Sequence, residues 1–181
     1  MTTYIALLRG INVGKAKRIA MADLRALLEG LGHTDVATLL NSGNVVFRSS
    51  KKASAKLAVE ITAAIAAQLK IDVPVIVKSA KDLATIIDGN ALAETADDHS
   101  RLLVAFVQEA GALPALSAIA PLVVPPEQFL VGREAAYLHC ARGILESKAG
   151  EALVGKAGKA ATTRNWATVL KLQALVDKVD G

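Results

Sequence analysis

Ten residues near the start of the chain, Arg9-Gly10-Ile11-Asn12-Val13-Gly14-Lys15-Ala16-Lys17-Arg18, place four cations, two glycines and an amide directly after an apolar run from Tyr4 to Leu8. The chemistry open to such a set is anion binding. Glycines let backbone N–H groups turn toward an oxyanion, and Lys and Arg neutralise it. Arg9 and Asn12 are the leading candidates, because Arg9 closes a strand and a guanidinium offers five donors in a planar fork. Lys15, Lys17 and Arg18 either join them or project into water. The segment is not a P-loop: three residues separate its glycines where four are needed, and Ala16 stands where a Ser or Thr would hold magnesium. Gly150 to Gly155-Lys156 has the right spacing but ends in Ala157 and follows no strand pattern. Neither region carries the glycine fingerprint of a dinucleotide site.

Two further segments stand out. Asn41-Ser42-Gly43-Asn44 separates two β-rich runs and is a tight-turn signal, since Gly and Asn tolerate positive φ. Its Ser42 sits in a hairpin rather than in a G-x-S-x-G elbow, so the hydroxyl is expected to close the turn. Thr162-Thr163-Arg164-Asn165-Trp166 reads as a helix start with Thr163 as N-cap. A cation in the first turn opposes the helix dipole, so Arg164 is expected either to face a carboxylate or to attend an anion at the helix end. Trp166, Val169 and Val176 form a core-facing stripe. His33, His99 and His139 are scattered, without zinc spacing, and no metal or cofactor is expected. His139 and Cys140 point to opposite faces of one strand, which rules out a Cys-His pair, and Cys140 reads as a buried thiol.

The elements that must position these residues follow from periodicity. Thr3 to Arg9 is strand-like. Met21, Leu24, Leu27, Leu28 and Leu31 recur at helical spacing until Gly32. Val36 to Leu40 and Val45 to Arg48 form the hairpin, Leu57, Ile61, Ile65 and Leu69 mark a helix, and Val73 to Lys78 is a strand. The order β-α-β-β-α-β predicts a ferredoxin-like half in which strands one and two run parallel with strand three between them. Residues 9 to 18 should then lie near Asn41 to Asn44. After a short helix at Asp82 to Ile87, a second series begins: strand Arg101 to Gln108, helix Pro114 to Ala120, a hairpin of Gln128 to Val131 with Ala135 to Ala141, and a long helix from about Arg164 to Val179. This reads as β-α-β-β-α, a second ferredoxin-like half without a clear final strand. The expected fold class is therefore α+β, with halves at 1–90 and 100–181 and a seam near 90–100. Strand one and the strand at Leu102 to Val107 are apolar on both faces, so both faces should be covered. Helices are expected on one and the other half of the chain on the second.

Composition bounds the partners. The chain has 181 residues, 52% hydrophobic and 21% charged, which predicts a packed core. A net charge of +4 suits a phosphate-bearing partner, but aromatics are only 3%, few for the stacking platforms of single-strand binders. No window approaches the roughly 20 apolar residues of a spanning helix, no secretory signal pattern opens the chain, and one cysteine suits a reducing compartment. The expected location is cytoplasmic, with no membrane partner and a monomer or weak homodimer.

Taken together, Arg9-Gly10-Ile11-Asn12-Val13-Gly14, Ser42-Gly43-Asn44-Val45-Val46-Phe47 and Thr162-Thr163-Arg164-Asn165-Trp166 make the chain resemble a bacterial family of uncharacterised proteins of this length. The resemblance implies two ferredoxin-like α+β halves and brings no established activity. The expected ligand-contacting set is Arg9, Gly10, Asn12, Gly14, Ser42, Asn44, Arg164 and Asn165. The expected function is binding of an anionic ligand, a nucleotide or nucleic acid. The alternatives are a small-molecule enzyme or a structural module.

Overall fold

The structure, a computed structural model, describes all 181 residues and is a mixed α+β fold with two four-stranded antiparallel sheets. Two compact units hold one sheet each. The first comprises Met1–Lys81 with Leu172–Gly181, and the second Asp82–Lys171. No helix is long and apolar enough to cross a membrane.

In the first unit, β1 (Thr2–Leu8), α1 (Met21–Gly30), β2 (Thr34–Leu39), β3 (Asn44–Ser49), α2 (Ser54–Leu69) and β4 (Val75–Ser79) follow in that order. The sheet runs β2-β3-β1-β4 with every neighbouring pair antiparallel. Strands β1 and β2 therefore point the same way with β3 between them. Tyr4, Ala6 and Leu8 of β1 share a core with Leu24, Leu27 and Leu28 of α1 and with Leu57, Ile61 and Ile65 of α2. The α1 residues fall at i, i+3 and i+4 and the α2 residues at i, i+4 and i+8, spacings that give each helix its apolar stripe. Ile5 and Leu7, on the opposite face of β1, are equally inaccessible.

In the second unit, α3 (Ala80–Asp88, whose first two residues belong to the first unit) precedes β5 (Leu102–Val107), a 3₁₀ segment (Ala110–Leu122), β6 (Gln128–Val131), β7 (Ala135–His139), α4 (Lys148–Val154), β8 (Ala161–Asn165) and the start of α5 (Trp166–Asp180), whose residues from Leu172 on belong to the first unit. The expected helix at Pro114 to Ala120 winds as 3₁₀ turns. Pro114 and Pro121 inside it lack the N–H that an α-helix needs.

One expectation is corrected outright: the second half does not lack its final strand. β8 pairs antiparallel with β5, Val104 standing opposite Arg164 and Phe106 opposite Thr162, and the sheet order is β6-β7-β5-β8. The helix begins two residues later than expected, at Trp166 rather than Arg164. The two threonines, read as the approach to a helix, are β-branched residues that suit a pleated strand. Capping passes to Asn165, whose Oδ1 accepts the Thr168 N–H at 2.9 Å.

Candidate functional site

The loop after β1 is built as a clamp. Ile11 and Ile19 are buried in the first unit's core and pin both ends, while residues 13 to 18 between them are exposed. Asn12 closes the clamp. Its backbone N–H donates to the Lys17 carbonyl at 3.1 Å, its Oδ1 accepts the Ile19 N–H at 2.9 Å, and its Nδ2 donates to the Ile19 carbonyl at 2.9 Å. The same Nδ2 donates to the Asn41 carbonyl at 2.7 Å, which ties the loop to the β2–β3 turn. Asn12, φ 56°, takes the left-handed conformation that Asn tolerates better than most residues, as do Gly10 (69°) and Gly14 (67°) on either side and Lys17 (51°) beyond.

The turn side is equally fixed. Gly43 has φ 88°, and a Cβ there would stand 2.7 Å from Ile11 Cδ1 and 2.8 Å from Leu8 Cβ. Only glycine lets the turn lie this close to the loop. Its carbonyl accepts the Leu8 N–H at 2.9 Å. Asn44 is completely buried, and its Nδ2 donates to the Leu39 carbonyl at 2.7 Å and to Ser42 Oγ at 2.9 Å. Ser42 thus accepts within the turn, as its position in a hairpin suggested.

Between loop and turn lies a cleft of ≈ 450 Å³ lined by Asn12, Arg18, Ile19, Ala20, Met21 and Asn41. It opens on the start of α1, whose N-cap residue is Ala20 and which no side chain caps. A helix start without such a cap leaves its first N–H groups to water or to a ligand, at the positive end of the helix dipole. Arg18 stands at this cleft, its Nη1 donating to the Gly14 carbonyl at 3.2 Å on the exposed surface. The arrangement can offer an oxyanion a guanidinium and backbone N–H groups at once.

The structure thus brings Asn12 together with the turn that holds Ser42 and Asn44. Arg9 is half-buried at the foot of the same loop, its N–H donating to the Pro74 carbonyl at 3.0 Å. The amide groups of Asn12 and Asn44 bond within the protein, so these two residues shape the cleft. Arg164 and Asn165 belong to the second unit. Arg164 lies in a strand and not in a first helical turn, so the expected conflict with the helix dipole does not arise. It is buried, with Nη1 donating to Thr162 Oγ1 at 3.0 Å and to the Thr163 carbonyl at 2.8 Å, and burial lowers its pKa to about 10. Sequence reasoning did not single out Ile19 or Ala20, and it read Met21 only as the first position of the helical stripe. The available signal was Ala20, an alanine directly before a helical pattern where Ser, Thr, Asp or Asn is usual.

A family model described as "Protein of unknown function (DUF1697)" matches residues 1–137. The chain belongs to this family. The match takes in both clamp segments of this DUF1697 protein, residues 9–14 and 42–47, and ends before residues 162–166. A solved relative in fold is the conserved bacterial protein SP0830 from Streptococcus pneumoniae, with 23% sequence identity and a TM-score of 0.81 over 97% of this chain and 98% of that one. No curated protein matches the sequence.

Proposed function

We propose that this DUF1697 protein binds a phosphate-bearing anion, a nucleotide or nucleic acid, in the cleft between the loop after β1 and the β2–β3 turn. The observation that carries the reading is the meeting of Arg18 with the uncapped start of α1 in one cleft whose walls are held by Asn12. Gly10 and Gly14 supply left-handed backbone, Ser42 and Asn44 fix the opposing turn, and Arg9 adds charge at the base of the loop. The proposed site rests on the first unit alone. Arg164 and Asn165 serve the second unit, as a buried cross-strand residue and a helix cap.

The same reading treats each unit as ferredoxin-like. Its support is the element order of the first unit, β-α-β-β-α-β, and the strand order 2-3-1-4 that recurs in the second.

A thermal-shift titration with inorganic phosphate, ATP and a short oligonucleotide tests the site. A ligand that binds only the folded chain raises the melting temperature by mass action. Arg18→Ala is expected to remove the shift while leaving the unliganded melting temperature near that of wild type, because the side chain is exposed. An unchanged shift in that variant, or no shift with any of the three, would overturn the proposal.

A further inference from the structure

The second unit carries a larger cleft that the anion site does not explain. It measures ≈ 720 Å³ and lies between Leu122, at the end of the 3₁₀ segment, and one stripe of α4 continued into the following turn. Lys148, Glu151, Ala152 and Gly155 fall at i, i+3, i+4 and i+7, on one helical face. The cleft exists because its floor is made of Ala152, Gly155 and Ala157, which have little or no side chain to fill it. The turn is held in place by Gly158. Its N–H donates to the Ala152 carbonyl at 3.2 Å, and a Cβ on it would lie 1.6 Å from the Leu153 carbonyl oxygen, so no other residue fits.

The chemistry of the walls is specific. Leu122 is 37% exposed and offers apolar surface. Lys148 and Lys156 stand at the rim, and neither is held in an ion pair. Glu151 lies with them, so two ammonium groups and one carboxylate leave a single net positive charge over an apolar floor. The volume falls within the roughly 300–1,000 Å³ of small-molecule sites, which pair mostly apolar linings with a few polar groups.

We infer that this cleft binds an amphipathic monoanion, an aliphatic chain ending in a carboxylate, with the chain along Leu122, Ala152 and Ala157 and the head between Lys148 and Lys156. A single carboxylate cancels the net charge of the lining, whereas a dianionic phosphate monoester would leave an uncompensated negative charge over the apolar floor beside Glu151. The lysines form part of the lining on this assignment, their methylene stems extending the apolar wall while the ammonium groups stay in water.

Calorimetric titration of the full chain with monomeric decanoate tests the inference, with acetate and decyltrimethylammonium as comparators. Decanoate is expected to bind saturably at one site and the other two not to bind. Ala157→Trp, at an exposed position, fills the floor and should abolish binding. The double variant Lys148→Glu/Lys156→Glu should weaken it by roughly tenfold, since exposed charges contribute modestly to binding. Thermal melts of both variants establish that they are folded. Failure of decanoate to bind wild type, equal binding by Ala157→Trp, or equal binding of decyltrimethylammonium would overturn the assignment.

Discussion

At the residue scale, Asn12 is the clearest case of a polar side chain whose work is internal. It occupies left-handed backbone and spends its amide on Ile19 and Asn41. Asn12→Ala loses these hydrogen bonds and places a Cβ residue with less tolerance for positive φ, so a loss of roughly 2–4 kcal/mol is expected, each net hydrogen bond contributing about 1 kcal/mol. Asn12→Gly keeps the backbone and should recover part of it. Chemical denaturation measures both, and an alanine variant as stable as wild type would show that the clamp contributes nothing. His33 makes a different prediction. It is 4% exposed, packs on Phe47 with ring centroids 4.8 Å apart, and its buried Nε2 has no hydrogen-bond partner. Burial is the main influence and lowers its pKa below the ordinary 6.5, with Glu60 opposing and Lys51 reinforcing the shift. Well above pH 6.5 the ring is neutral in both folded and unfolded chains, and its titration leaves stability unchanged. Below 6.5 the unfolded chain takes up the proton first, so stability falls as pH drops from 6.5 through the depressed folded value. Melting temperatures between pH 7.5 and 5 should decline in wild type and decline less in His33→Leu. Parallel curves would exclude His33 as the source.

At the element scale, the loop after β1 and the β2–β3 turn meet because Gly43 has no side chain. Gly43→Ala would add a Cβ 2.7 Å from Ile11 Cδ1 and strain a residue at φ 88°. The left-handed conformation costs an L-residue about 1–2 kcal/mol and overpacking typically about 1–3 kcal/mol more. A denaturant midpoint close to wild type would mean that the turn can move away from the loop. This meeting was legible in the sequence. The order β-α-β-β-α-β puts the loop after strand one and the turn after strand two at the same sheet end, and the apolar run of β1 announced its burial. The strand β8 was not legible. Five residues, Ala161–Asn165, carry no alternation of apolar and polar types, and they run straight into a strong helical pattern at Trp166. Pairing with β5 decides their conformation, and pairing across some sixty residues leaves no local mark. Once Thr163 is read as a cap, Arg164 follows it into a helix that starts too early. The cleft was half legible: the cations and glycines were plain, while the contribution of α1 depends on a cap residue that is missing.

At the scale of the whole molecule, the two compact units are not two halves of the sequence. Leu172–Gly181, the last turns of α5, cluster with Met1–Lys81. Within that unit Thr3 Oγ1 donates to Asp180 Oδ1 at 2.5 Å, joining strand β1 to the final turn, and Leu172 and Val176 are buried. The periodicity of α5 fixes which of its residues are apolar and says nothing about which sheet they join. The first unit should accordingly depend on a segment about ninety residues away from the rest of it in the chain, the length of the intervening second unit. A chain ending at Lys171 keeps every strand of both sheets and loses the burial of Leu172 and Val176. At about 1.5–3 kcal/mol for each fully buried aliphatic side chain, roughly 3–6 kcal/mol of stabilisation goes with them. The loss should fall first on the first unit. Hydrogen exchange read strand by strand in the truncated chain is expected to show β1, β3 and β4 amides losing protection more than those of β5 and β7, since local opening reports the stability of each cooperative unit separately. Asp180→Ala in the full chain should produce a smaller shift of the same pattern, because it removes the bond to Thr3 and leaves the two apolar residues buried. Equal loss of protection in both sheets after truncation would show instead that the chain unfolds as one cooperative body, and unchanged protection in β1 would remove the last turns of α5 from the first unit.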